Sequence, residues 1–181
     1  MTPAGPRLEI SNPLQDRGFS VVSFDDPTFD AEVRQLLTPD ALDKAKDFLP
    51  KSAVLINSTG QYIWGFTVIY TYPDRIAPAG TPWRHIISPK SGVADRARML
   101  APGARYLITP VSDFLASRDP SGKKSLQPFL DEGLDRIIDL FKREQLTDRL
   151  QLSVDAVIFD TGIVIGPDSA GLREQVRKQS W

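Results

Sequence analysis

Apolar positions alternate most clearly from Tyr62 to Tyr72, where Tyr62, Trp64, Phe66, Val68, Tyr70 and Tyr72 fall on one side of an extended chain. Ile63, Gly65, Thr67, Ile69 and Thr71 fall on the other. A period of two, dense in aromatic and β-branched residues, predicts a strand. Its aromatic side is expected to be core, with a binding groove as the alternative. Gly65 inside it predicts a bulge or a close backbone approach. Shorter strands are predicted over 19–24, 53–56, 83–87, 96–100 and 106–109. Leu150 to Phe159 predicts a further strand, with Leu150, Leu152, Val154, Ala156 and Ile158 sharing one face.

Helical spacing appears in fewer places. Phe29, Val33, Leu36 and Leu37 form a stripe, as do Leu42, Ala45, Phe48 and Leu49. The second helix has Thr38 as its N-cap and Pro39 at its first position, a favoured pairing. Leu126, Phe129, Leu130, Leu134, Ile137, Ile138 and Phe141 predict the longest helix, over 126–144. It is the expected cover for an apolar face of the C-terminal hairpin. A last helix is expected from Ala170 to Trp181, capped by Asp168 or Ser169.

Short strands separated by turns, without regular β-α alternation, predict a mainly β fold. The strand pattern over 19–166 resembles an antiparallel immunoglobulin-like β-sandwich without a disulfide. Its helical insertions fall at about 29–49 and 126–144. Residues 1–18, rich in Pro, Asn and Gly, are expected to be a flexible N-terminal segment. Residues 19–166 are expected to form one domain and 167–181 a C-terminal helix. Residues 112–125 are expected to be an exposed loop. At 181 residues, the chain is long enough to bury roughly 70% of its unfolded surface.

Two stretches invite a chemical reading. The first is Ala156-Val157-Ile158-Phe159-Asp160-Thr161-Gly162. A strand ending in Asp-Thr-Gly resembles the aspartic-protease signature, and Val-Ile-Phe-Asp resembles the phosphatases with an aspartate nucleophile. The protease needs two such carboxylates sharing a proton, and a β flap after the first. The chain has no second Asp-Thr-Gly and ends at Trp181. The phosphatase needs an acid two residues after its nucleophile, and that position is Gly162. The same residues make a three-residue hairpin loop closed by a left-handed glycine. That hairpin would oppose Phe159 to Ile163, Ile158 to Val164 and Val157 to Ile165.

The second stretch is Trp83-Arg84-His85, which places stacking, cationic and titratable groups beside a Pro/Gly-rich loop. With Tyr72 these residues are the candidate ligand-binding set. A stacked sugar or a bound cation would suit the ring faces. The plainer expectation is an edge strand anchored by its tryptophan.

Composition narrows the remaining chemistry. Twenty-two basic residues against 23 acidic give a net charge of −1, without the basic excess of a nucleic-acid module. The absence of cysteine excludes disulfides, thiol catalysis and zinc-thiolate sites. His85 is the single histidine, so one chain cannot supply a histidine pair. Asp25, Asp26, Asp155, Asp160 and Asp168 match no calcium-loop spacing. Asn57-Ser58-Thr59 is a formal glycosylation sequon, and equally a turn. No apolar run approaches the ~20 residues that span a bilayer. The start shows no charged n-region or apolar h-region, so a cytoplasmic location is expected. No cofactor or metal is expected. The expected role is a non-enzymatic interaction module that binds a protein partner or self-associates. A carbohydrate or small-ligand binder and a hydrolase of unfamiliar type are the alternatives.

Overall fold

A computed structural model describes residues 7–88, 99–110, 117–118, 124–125 and 149–178. The fold is mainly β, with two larger sheets and a C-terminal helix. The strands are β1 (Arg7–Ser11), β2 (Phe19–Ser23), β3 (Ala53–Asn57), β4 (Ile63–Ile76), β5 (Pro82–Ile87), β6 (Arg105–Ile108), β7 (Ser117–Arg118), β8 (Lys124–Ser125), β9 (Arg149–Phe159) and β10 (Val164–Ile165). The helices are α1 (Phe29–Val33), α2 (Pro39–Ala45) and α3 (Leu172–Lys178).

The larger sheet runs β1-β9-β4-β5, and β10 pairs with β9 on the edge that β1 also uses. The second sheet runs β2-β3-β6, antiparallel throughout. One cluster joins the two. Phe66 on β4 packs against Phe19 of β2 and Tyr106 of β6, with ring centroids 6.2 and 5.1 Å apart. Tyr70 reaches across the same core, where its hydroxyl donates to the carbonyls of Lys51 at 3.2 Å and Ile108 at 3.4 Å. Complete burial pushes that phenol well above its ordinary pKa, and neighbouring Tyr72 adds to the shift.

Three expectations need correction. Residues 7–11, assigned to a flexible segment, form β1. Leu8 and Ile10 alternate onto the main core, which gives the strand a buried side. The sheet is not purely antiparallel, because β1 runs parallel to β9, with Leu8 opposite Leu150 and Ile10 opposite Leu152. Residues 12–148 separate these strands, so no short turn forces them antiparallel. Within the expected loop 112–125, β7 and β8 pair antiparallel. The predicted helix 126–144 lies outside the described residues, as do residues 96–98 of the weakest predicted strand. Leu100 of that strand bridges Ile63.

A further correction concerns which way the strands face. Opposite β9, Ile63 pairs with Phe159 but Gly65 pairs with Ile158, which leaves Trp64 as an extra residue on β4. Thr67 pairs with Ala156 and Val68 with Val154, so Asp155 is an extra residue on β9. Each such bulge shifts the alternation by one. Leu150, Leu152 and Val154 enter the main core, whereas Ala156 and Ile158 turn to the opposite face. Val157 and Phe159 replace them in the main core. Trp64 likewise leaves the face of Phe66, Val68, Tyr70 and Tyr72. It joins Ala156, Ile158, Met99, Leu172 and Val176 in a second cluster beneath α3. Among the described residues, α3 is thus the helix that covers the apolar reverse of the hairpin.

Candidate functional site

The hairpin at Asp160-Thr161-Gly162 has the predicted register. Val164 opposes Ile158 and Ile165 opposes Val157. Phe159 N–H donates to Ile163 O at 3.0 Å, and Gly162 N–H donates to Phe159 O at 2.9 Å. Gly162 sits at φ +81°, the left-handed conformation that closes such a loop. Asp160 is therefore a corner residue, with its own N–H bonded to Tyr62 O at 2.9 Å.

Among the described residues, the buried carboxylate is Asp155, 3% exposed, at the β9 bulge. It faces the segment that leads into α3. Ser169 donates to Oδ1 through its N–H at 2.8 Å and its hydroxyl at 2.6 Å, and Ala170 N–H donates to Oδ2 at 2.9 Å. The Asp155 carbonyl accepts from Asp168 N–H at 3.1 Å. Asp168 then caps α3, accepting from Leu172 N–H at 2.5 Å and Arg173 N–H at 3.1 Å. Its backbone is left-handed, at φ +58°. Gly166, at φ +111°, approaches so closely that a Cβ there would collide with the Asp155 carbonyl oxygen. Two of the acids considered for calcium do converge, but as anchor and cap of one helix. Asp25, Asp26 and Asp160 lie in other turns. Asp26 accepts from the Thr28 hydroxyl at 2.7 Å and N–H at 2.8 Å, and these bonds lower its pKa. Among the described residues, no group of three or more His, Asp or Glu is placed to hold a metal ion.

Asn57 of the sequon is fully buried. Its side-chain amide donates to the carbonyls of Gln61, Leu100 and Ala101, at 2.8, 3.0 and 3.1 Å. Its oxygen accepts from Thr59 N–H at 3.1 Å and the Thr59 hydroxyl at 2.7 Å. The sequon asparagine thus closes a loop, in line with its turn reading.

The Trp83 region is built differently. β5 lies at the end of the larger sheet, paired with β4 on its inner side. Tyr72 opposes Trp83, Thr71 opposes Arg84, Tyr70 opposes His85 and Ile69 opposes Ile86. Alternation puts Trp83, His85 and Ile87 on the side of the tyrosines, and Arg84 and Ile86 on the reverse. The Trp83 ring lies 4.8 Å from Tyr72 at 60°, and 6.0 Å from His85 at 30°. Pairing resumes only at Ile76 with Pro82, so Pro73, Asp74 and Arg75 bulge from β4. Pro73 lacks the N–H that a ladder would need, which accounts for the interruption. The bulge brings the Arg75 guanidinium to 5.4 Å from the Tyr72 ring centroid.

The four predicted residues are thus adjacent, but not equivalent. Tyr72 is only 1% exposed, and its face is taken by Arg75 and Trp83, so it is a floor rather than a contact surface. His85 is half-buried and Arg84 exposed. Trp83 keeps 37% of its surface in water. The sequence reading missed two residues here, Ile86 at 48% and Ile76 at 64% exposure. The alternation in Trp83-Arg84-His85-Ile86-Ile87 would have placed Ile86 on the outer face of an edge strand. Among the described residues, no strand pairs with the outer side of β5.

No protein-family model, curated protein or solved structure matches the chain. Among the described residues, no helix is long and apolar enough to cross a membrane.

Proposed function

We propose that the chain is a non-enzymatic interaction module, an immunoglobulin-like β-sandwich that binds a protein partner along β5. The observation that supports this most is an edge strand carrying Trp83 and Ile86 partly in water, beside exposed Ile76. Soluble proteins ordinarily blunt such edges with charge, proline, bulges or a covering element. Pro82 and Arg84 supply some of that protection, and three large apolar side chains work against it. An extended segment of a partner would add a strand to β5, taking affinity from main-chain bonds and selectivity from Trp83 and Ile86.

The test is capture from a native lysate with wild type and with Ile86→Lys in parallel, alongside light scattering for self-association. A species retained by wild type and lost by Ile86→Lys supports the reading. A strict monomer that captures nothing in either form counts against it. A carbohydrate reading has one favourable feature, the exposed Trp83 ring. Saturable quenching of tryptophan fluorescence by a glycan, abolished in Trp83→Ala, would favour it over strand addition.

A further inference from the structure

At the opposite edge of the larger sheet, the hairpin turn and α3 flank an open groove of about 460 Å³, lined among the described residues by Gly162, Val164, Arg173, Val176 and Arg177. We infer that this groove binds an acidic peptide segment, with an apolar side chain on the valines and a carboxylate between the two guanidinium groups.

Its chemistry is split. Val164 and Val176 make an apolar floor, and Gly162 leaves the rim without a side chain. Arg173 and Arg177 stand one helical turn apart. On a surface helix, like charges at this spacing repel and opposite charges attract. The same helix uses the attractive arrangement elsewhere, where Lys178 Nζ lies 2.8 Å from Glu174. Its groove side carries two like charges instead, offset in part by the Asp168 carboxylate beside Arg173. A bound carboxylate converts that repulsion into two charge-assisted contacts.

Arg173 is already oriented. One of its terminal nitrogens donates to Val164 O at 3.3 Å, and Nε lies 3.8 Å from the Asp168 carboxylate. A guanidinium carries five N–H donors, so this anchoring leaves others for a ligand. Arg177 is exposed and makes no ion pair among the described residues. The site is a surface groove bounded by a turn and a helix, which suits an extended peptide. This inference stands apart from the β5 edge, since the two lie at opposite edges of the sheet and share no residue.

The probe is a fluorescein-labelled peptide alternating Glu and Leu, titrated by fluorescence anisotropy, with a Lys/Leu and a Glu/Ser peptide as comparators. Wild type should bind Glu/Leu saturably and more weakly as salt rises. The Arg177→Glu variant should bind about tenfold or more weakly, the scale of a lost charge-assisted bond. Its melting temperature should change little, because residue 177 is exposed and relief of the Arg173–Arg177 repulsion offsets the new proximity to Glu174 and the helix end. Absence of saturable binding by wild type overturns the inference. So does equal binding of the Lys/Leu peptide, or affinity unaffected by Arg177→Glu. Glu/Ser binding as tight as Glu/Leu would remove the apolar half. Self-association lost in Arg177→Glu, without peptide binding, would assign the groove to a second copy instead.

Discussion

The two edges of the larger sheet handle polarity in opposite ways. At the β9 edge, a buried carboxylate is satisfied. Asp155 receives three N–H or O–H donors from the chain that leads into α3, and β1, the Gly166–Asp168 segment and β10 occupy successive parts of its length. At the β5 edge, apolar surface is exposed, and among the described residues nothing continues the ladder. A catalytic-looking motif lies at the first edge, and the buried carboxylate on the same strand, Asp155, is committed to holding the segment that leads into α3. The second edge has no signature of any kind and keeps its apolar side chains in water. A motif shows which residue types are close in sequence, whereas hydrogen-bond partners show which of them are left to act.

The contrast can be broken most forcefully at Gly166. Gly166→Val adds a Cβ against the Asp155 carbonyl at a left-handed φ. A cost of roughly 4 kcal/mol or more is expected, enough to abolish the cooperative thermal transition. A variant that melted like wild type would remove the close packing on which the latch depends. Next is Asp155→Ala, which leaves the N–H groups of Ser169 and Ala170 without their acceptor. Denaturant unfolding should show a loss of about 2–4 kcal/mol, with α3 the first element to open. A loss confined to a few tenths of that would make Asp155 a bystander.

Tyr70 offers a pH test of the core between the sheets. Its folded pKa lies above its unfolded value, so its contribution to stability is complete below the unfolded pKa, near 10. That contribution is lost as pH climbs from there through the folded value. Wild type should therefore weaken in alkali, with tyrosinate absorbance from Tyr70 appearing only on unfolding. Tyr70→Phe should cost about 1 kcal/mol at neutral pH and flatten part of the alkaline decline. The smallest effects are expected at the surface. Ile86→Lys on β5 and Asp160→Asn in the hairpin should each stay within about 0.5 kcal/mol of wild type in denaturant unfolding. Only Ile86→Lys should alter capture of a partner.

Local chemistry made much of this legible. The hairpin register followed from Asp-Thr-Gly between apolar runs, and the Thr38 cap of α2 is present, with Ala41 N–H donating to its hydroxyl oxygen at 3.3 Å. Facing was harder, because a strict period of two carries no mark of a bulge. The one clue on β9 was Asp155 itself, a charge inside an otherwise apolar run from Val154 to Phe159. On β4 it was Gly65, which did signal the irregularity but not that Trp64 would change sides. Parallel β1 was hidden for another reason. Leu8 and Ile10 alternate correctly, but their partners lie near the other end of the chain, and local pattern cannot name a distant strand. At the candidate site, Trp83 was legible from its residue type. The exposure of Ile86 followed from alternation in the expected edge strand, whereas that of Ile76 depended on the bulge at residues 73–75.

Amide hydrogen exchange of the wild-type protein tests the difference between the two edges most directly, since it needs no partner. The N–H groups of Asp168, Ser169 and Ala170 should exchange slowly, with protection approaching that of the strands. Alternate amides along Pro82–Ile87, those facing away from β4, should exchange rapidly. Fast exchange at 168–170 together with uniform protection along β5 would contradict the account, because the latch would then be open and the edge already covered.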